Sequence, residues 1–141
     1  MIKNKVPIIV DTNILFSTLL KEKSSFSELL LNSNYDFFIC EQVLVELFKR
    51  KEKILKASQL TEEEIIKIYQ TLLKCINLYK EDLILPENLV TAYQLCQDID
   101  ETDTPHIALT IELNGLLWTG DKKLKEGLQR KGFIKLFEPN N

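Results

Sequence analysis

Ile8-Ile9-Val10-Asp11-Thr12-Asn13-Ile14-Leu15 is the stretch that decides the fold of this chain. Three β-branched apolar residues lead into a carboxylate and an amide, after which apolar residues return at helical spacing. The pattern predicts a buried parallel strand that ends at Asp11. Open α/β sheets bind ligands beyond the carboxyl ends of their strands, so Asp11 and Asn13 are expected to face a substrate or a metal ion.

The composition indicates one soluble globular domain. A chain of 141 residues is expected to form a single domain over 1–141 that buries roughly two thirds of its unfolded surface. Hydrophobic residues make up 45% and charged residues 28% of the chain, as in ordinary folded proteins. No apolar run approaches the roughly 18 residues that cross a bilayer, and the segment 1–7 lacks the apolar part of a signal peptide. We therefore expect a cytoplasmic protein with no membrane partner.

Sulfur and nitrogen ligands for a metal are scarce. Cys40, Cys75 and Cys96 are odd in number, far apart and flanked by apolar residues, which is typical of reduced thiols in a core. With the single histidine His106, a nitrogen-and-sulfur metal site is disfavoured. Oxygen ligands are plentiful, so any metal is expected to be a hard cation such as Mg²⁺ or Mn²⁺.

Strand-like and helix-like patterns alternate along the chain. Threonine as N-cap and proline at the first helical position predict a helix start at Thr104-Pro105. The alternation predicts an α/β three-layer sandwich with a central, mostly parallel sheet of four to five strands flanked by helices. Strands are predicted at 8–10, 35–40, 76–79, 116–119 and 134–137, and helices at 13–20, 25–31, 41–57, 61–73, 87–97, 104–114 and 122–131.

Four carboxylates, Asp11, Glu46, Asp103 and Asp121, lie at the ends of strands or near the starts of helices. Each has a structural explanation when taken alone. Asp121 can cap the next helix, and Asp103 can favour a helix N-terminus. Glu46 can pair with Arg50 four residues later. Taken together, they are expected to converge at one edge of a parallel sheet, where carboxylates raise one another's pKa unless a divalent ion neutralises them.

The four carboxylates stand in sequence blocks that resemble the four acidic blocks of the PIN domain family. The resemblance extends from Ile8 to about Phe137. One block alone is a weak signal, whereas four in order at this spacing are specific. The blocks are Asp11-Thr12-Asn13-Ile14-Leu15, Val45-Glu46-Leu47, Asp103-Thr104-Pro105-His106-Ile107-Ala108-Leu109 and Trp118-Thr119-Gly120-Asp121-Lys122.

The resemblance implies a metal-dependent endoribonuclease that hydrolyses phosphodiester bonds of RNA. Small single-domain members of the family often serve as toxins of bacterial or archaeal toxin–antitoxin pairs, so an antitoxin protein and a homodimer are the implied partners. By the same resemblance, Asp11 and Asp103 are the central metal ligands for Mg²⁺ or Mn²⁺. Glu46 and Asp121 complete the catalytic acidic site.

Other residues of the blocks are given smaller roles by the resemblance. Asn13 and Thr119 are the implied polar supports of the acidic site. Asp100, three residues before Asp103, departs from the simple pattern and is a further candidate ligand, and which of the two contributes more stays open. His106 has no role that the resemblance transfers, and we expect it to be an ordinary residue at a helix start.

Basic residues are grouped near the acidic blocks, although the net charge of −3 gives no overall attraction for nucleic acid. Lys49, Lys122 and Lys123 are candidates for binding the phosphates that flank the scissile bond, because of their position near the expected site. The alternative explanation of such basic runs is a solvated helix face.

Two other functions are compatible with parts of the pattern. A noncatalytic binding module would use the acids only as caps and ion pairs, and a metal ion would not stabilise it. A Mg²⁺-dependent phosphohydrolase of the haloacid dehalogenase type also has an aspartate after its first strand. That chemistry needs a second aspartate two residues later, where this chain has Asn13.

Overall fold

The central sheet of this protein is parallel throughout. In the computed structural model, which describes residues 5–20, 29 and 34–139, four strands form one sheet and seven α-helices flank it. The strands are β1 (Val6–Val10), β2 (Tyr35–Cys40), β3 (Ile76–Tyr79) and β4 (Leu116–Trp118). The helices are α1 (Thr12–Leu20), α2 (Glu41–Lys49), α3 (Lys51–Ala57), α4 (Glu62–Cys75), α5 (Pro86–Cys96), α6 (Thr104–Glu112) and α7 (Lys122–Arg130).

Strand β1 lies inside the sheet, whose order is β3-β2-β1-β4. Ile8, Ile9 and Val10 are fully buried, because β2 and β4 pair with β1 on either side and helices cover both faces. Ile8 and Val10 pack into one core cluster with residues of α1 to α4, and Ile9 packs into a second with residues of α5 to α7. Successive side chains of a strand point to opposite faces. The predicted three-layer sandwich is therefore confirmed.

The single helix predicted over 41–57 is wrong, since the chain breaks at Arg50 into α2 and α3. Arg50 has φ −98° and ψ 9°, although its N–H still donates to the Glu46 carbonyl over 3.0 Å. The break leaves Ile54 buried in the core while the Arg50 guanidinium lies 4.9 Å from the centre of the Phe16 ring. Tertiary packing against α1 thus overrides a sequence pattern that favours one continuous helix.

The strand predicted over 134–137 is also wrong, because only Leu136 forms a bridge, to Leu117 of β4. The Leu117 N–H donates to the Lys135 carbonyl over 2.9 Å, and the Phe137 N–H donates to the Leu117 carbonyl over 2.8 Å. The Leu136 N–H donates to the Ile134 carbonyl two residues back, and Ile134 is 77% exposed. The segment therefore curls away from the sheet before it can pair further.

The start of α6 differs from the prediction as well. Thr104 is the first helical residue, and its hydroxyl donates to the Glu101 carbonyl over 2.6 Å instead of capping the helix. Asp103 occupies the N-cap position without a capping hydrogen bond, which leaves its carboxylate available for other partners. The helix predicted over 25–31 lies outside the described residues apart from Leu29. No helix within the described ranges is long and apolar enough to span a membrane.

Gly115 provides a test of the sheet packing. A Cβ atom at this position would lie 2.5 Å from the Pro7 carbonyl oxygen and 3.0 Å from Ile9 Cδ1. We therefore expect Gly115→Ala to push β4 away from β1 and to lower the free energy of unfolding by about 1–3 kcal/mol. Denaturant unfolding measures this change.

Gly120→Ala is the matched control, since a Cβ there meets only Ile14 Cδ1 at 3.7 Å, an ordinary contact. Its unfolding midpoint is expected to stay near that of the parent protein. Equal midpoints for Gly115→Ala and Gly120→Ala would contradict the packing described for β1 and β4.

Candidate active site

Asp11 follows the last residue of β1 and is buried, with 5% of its surface exposed. Its backbone N–H donates to the Trp118 carbonyl over 3.1 Å, which continues the pairing of β1 with β4. Its Oδ1 accepts the Ile14 N–H over 2.9 Å, and the Thr119 hydroxyl donates to the same carboxylate. Asp11 thus caps α1 and is fixed at the carboxyl end of the central strand.

Asp121 follows β4 after Thr119 and Gly120 and is the N-cap residue of α7. Its Oδ1 accepts the Leu124 N–H over 3.1 Å, so the predicted helix cap is present. Its own N–H donates to the Thr119 hydroxyl oxygen over 3.1 Å. The Thr119 hydroxyl therefore links the two strand ends, because it donates to Asp11 and accepts from Asp121.

A cavity of about 260 Å³ opens at this edge of the sheet. The structure brings Asp11, Glu46, Asp103 and Asp121 to its wall, together with Asn13 and Asp100. Thr119 lies behind the wall, where it supports Asp11 and Asp121. The exposed lysines Lys49, Lys122 and Lys123 are not among the described residues that line the cavity.

The carboxylates of this cavity disturb one another. The pKa of Asp103 is raised to about 7, chiefly by burial and in part by the nearby Asp100, Asp11 and Asp121 carboxylates. Burial also raises the pKa of Asp11, partly offset by the hydrogen bonds from Thr119 and Ile14. The site therefore holds more negative charge than its own hydrogen bonds stabilise at neutral pH.

Arg50 is a cavity residue that the sequence pattern did not single out. Its Nε lies 3.3 Å from Glu46 Oε2, as expected for an ion pair four residues apart. Among the described residues that line the cavity, Arg50 alone carries a permanent positive charge. The break between α2 and α3 places it there, and no local sequence signal marks that break.

His106 also lines the cavity, where sequence reasoning assigned it no role. It lies in the first turn of α6, as expected, but only 4% of it is exposed. Burial lowers the pKa of His106 to about 4, so the imidazole is neutral at physiological pH. Its Nδ1 is buried without a hydrogen-bond partner.

The donor set of the cavity suits a hard divalent ion. It consists of carboxylate, amide and hydroxyl oxygens, and the mutual repulsion at Asp103 is the kind that a bound cation relieves. Across residues 5–20, 29 and 34–139, no three acidic, histidine or cysteine side chains form a compact metal-binding group. Asp11 and Asp103, which the family resemblance implies as ligands, both line this cavity.

Fold and site together define a class: a parallel α/β domain with an acidic cavity at the carboxyl edge of its sheet. The model of the PIN domain family matches residues 9–136, and the chain belongs to that family. The resemblance carried by the four acidic blocks is thereby confirmed. No curated protein sequence is significantly similar to the chain.

A solved structure shares the fold over almost the whole chain. It is the crystal structure of VapBC2 from Rickettsia felis bound to a DNA fragment from their promoter. The match covers 92% of this chain and 95% of that chain, with a TM-score of 0.62 and 19% sequence identity. At this identity the likeness concerns the fold alone, and it supports a PIN-type sandwich.

The raised pKa of Asp103 predicts a pH-dependent effect on stability. Its folded pKa of about 7 exceeds the unfolded value of 3.8, so the folded state binds more protons between these values. The contribution of Asp103 to the free energy of unfolding is therefore most favourable at low pH, and it declines as the pH rises towards 7. With EDTA at pH 8, Asp103→Asn is expected to raise the melting temperature by on the order of 3 °C, allowing for partial exposure.

At pH 4.5 the same substitution should raise the melting temperature much less, because Asp103 is then protonated in the folded parent protein. His106 titrates with the opposite sign, since its pKa is lowered, but it is present in both proteins and cancels in their difference. The exposed Asp82, which does not line the cavity, is the control, and Asp82→Asn should leave the melting temperature at pH 8 near that of the parent protein. An identical shift for Asp103→Asn at both pH values would contradict the repulsion described here.

Proposed function

We propose that this protein is a metal-dependent endoribonuclease that hydrolyses phosphodiester bonds of RNA, and that it is the toxin of a toxin–antitoxin pair. The observation that carries the proposal is the convergence of Asp11, Glu46, Asp103 and Asp121 on one cavity at the carboxyl edge of the sheet. Membership of the PIN domain family supports nuclease chemistry.

The charge of the cavity explains why a cation is required. A phosphodiester is anionic, so a pocket of carboxylates alone would repel it. Asp11 and Asp103 would hold Mg²⁺ or Mn²⁺, with Glu46 and Asp121 completing the acidic site and Asp100 as a further candidate ligand. When bound, such an ion supplies Lewis-acid activation of the phosphate and of the attacking water.

The remaining residues position these groups. The Ile14 N–H and the Thr119 hydroxyl fix the direction of the Asp11 carboxylate. Arg50, held against Glu46 at 3.3 Å, offers a positive charge to a phosphate oxygen inside the cavity. Asn13 is exposed at the cavity wall, where its amide can contact the substrate.

The surroundings of the cavity extend the proposal to the flanking strand of RNA. Lys49, Lys122 and Lys123 are exposed and lie next to elements of the site, so we assign them to phosphates on either side of the scissile bond. Such contacts at the rim fix the register of the RNA and weaken as salt rises.

The partners follow from the same family resemblance. The similar fold of VapBC2, which was solved on a DNA fragment from their promoter, supports an antitoxin protein that binds this chain and controls its activity. We also propose a homodimer that acts in the cytoplasm.

The decisive test of the proposed activity is cleavage of a panel of short RNAs with Mn²⁺, with Mg²⁺ and with EDTA. Asp11→Asn and Asp103→Asn are each expected to lower the rate more than about 100-fold, since each removes a charge that holds the ion. Asp82→Asn, an exposed matched control, should cleave like the parent protein.

Melting curves in the same buffers distinguish the proposed nuclease from a noncatalytic binding module. Mn²⁺ should raise the melting temperature of the parent protein and of Asp82→Asn, but not that of Asp11→Asn. A protein that cuts no RNA and is not stabilised by either metal would instead be a noncatalytic binding module whose acids serve as caps and ion pairs.

Thr119 allows the positioning of Asp11 to be tested separately. Thr119→Val removes the hydroxyl that donates to Asp11 and accepts from Asp121, so we expect Mn²⁺ to bind about tenfold more weakly. Thr119→Ser keeps the hydroxyl and should restore the affinity. Calorimetric Mn²⁺ titration of both variants gives the comparison, and equal dissociation constants for the serine and valine variants would show that the hydroxyl has no such role.

A further inference from the structure

A second cavity adjoins the carboxylate cavity. It has a volume of about 170 Å³, and its described lining residues come from α1, from α3 and from the break before α3. Its wall is largely hydrocarbon, with two cationic side chains in it. The lining residues are Phe16, Arg50, Lys53, Ile54 and Ala57.

Arg50 connects the two cavities, because it lines both of them. Its guanidinium is packed 4.9 Å from the centre of the Phe16 ring and is tied to Glu46 by the 3.3 Å ion pair. Even so, 48% of the side chain is exposed. A planar cation is therefore held in a fixed position with part of its surface open to an occupant.

The apolar and cationic lining of the second cavity suits a flat ring that is attached to an anionic chain. Apolar cavities of about 150 Å³ take up an aromatic ring, so a volume of about 170 Å³ is sufficient for one. Single-stranded RNA is recognised by stacking its bases on aromatic rings and on arginine guanidinium planes. Arg50 and Lys53 favour a polyanion over an uncharged apolar peptide, and the cavity opens beside the site that we assign to the phosphodiester.

We propose that this second cavity binds the nucleobase of the RNA substrate next to the scissile phosphate. The base stacks on the open part of Arg50 and contacts the apolar wall of Ile54 and Ala57, while Lys53 binds the backbone phosphate of the same nucleotide. This inference rests on the proposed function, because it assigns the cavity to the same substrate strand.

The test measures RNA binding separately from cleavage. Asp103→Asn serves as the background, since it removes one negative charge from the carboxylate cavity and is expected to stop turnover. A fluorescent RNA octamer and a series in which each nucleotide in turn is made abasic are titrated by anisotropy. Ala57→Leu fills the second cavity from an exposed helix end, and Ala57→Ser is the control of nearly unchanged size.

We expect one abasic position to weaken binding about tenfold, as does Ala57→Leu with the intact octamer. Combined, the two changes should weaken binding no more than either does alone, because both remove the same contact. Ala57→Ser should bind like the Asp103→Asn protein. Lys53→Gln should weaken all octamers uniformly and reduce the slope of binding against salt by about 0.7, whereas Lys56→Gln, on the same helix but outside the cavity lining, should not.

Two results would overturn the proposal. Additive losses from the abasic position and Ala57→Leu would show that the base lies elsewhere. Unchanged binding of the intact octamer by Ala57→Leu would show that the second cavity takes no base of the RNA. Cleavage by the parent protein reports separately on the proposed function: RNA that is bound with the expected coupling but never cut would contradict the nuclease and leave the nucleobase site standing.

Discussion

The buried carboxylate of Asp11 determines which groups must lie beside it at the carboxyl edge of the sheet. A charge at the end of a fully buried strand loses hydration, and it persists only where hydrogen bonds or a counter-charge replace that water. The Ile14 N–H and the Thr119 hydroxyl provide part of this replacement. They depend in turn on the parallel pairing of β1 with β4, which brings Thr119 beside Asp11.

The other carboxylates of the cavity oppose the ionisation of Asp11 and of Asp103, and the same negative charges attract a cation. Asp103 titrates near 7 because burial and three neighbouring carboxylates oppose its ionisation. Within the described cavity wall Arg50 is the one permanent cation, and it is already paired with Glu46. The carboxylates thus repel one another, and a bound divalent cation would relieve that repulsion. The same carboxylates therefore lower the stability of the fold and raise its affinity for a divalent cation.

Much of this arrangement could be predicted from local sequence. The apolar run at 8–10 indicated the central strand. Asp11 and Asp121 follow parallel strands and Asp103 precedes a helix, so the convergence of these three could be expected from the sheet, whereas Glu46 reaches the cavity from within α2. The family model matched at residues 9–136 bears out the resemblance seen in the four acidic blocks. The site roles of the individual acids remain predictions.

The features that could not be predicted arise from particular contacts that the apolar pattern does not encode. The break at Arg50 depends on Phe16 and Ile54, and it turns an ordinary residue of a basic run into part of the cavity. The curl at Leu136 depends on a hydrogen bond within its own segment, which no alternation of apolar residues reveals. His106 is neutral because α6 is buried around it, whereas its sequence position suggested an ordinary helix start.

A crystal of the protein grown with Mn²⁺ gives the most direct test of the central claim, that Asp11 and Asp103 share a divalent ion. Anomalous scattering locates Mn²⁺ without reference to activity. The account predicts a peak in the carboxylate cavity in contact with both side chains, and its loss in Asp11→Asn. A cavity without a peak at saturating Mn²⁺, or a peak bound only by exposed acids elsewhere, would contradict it.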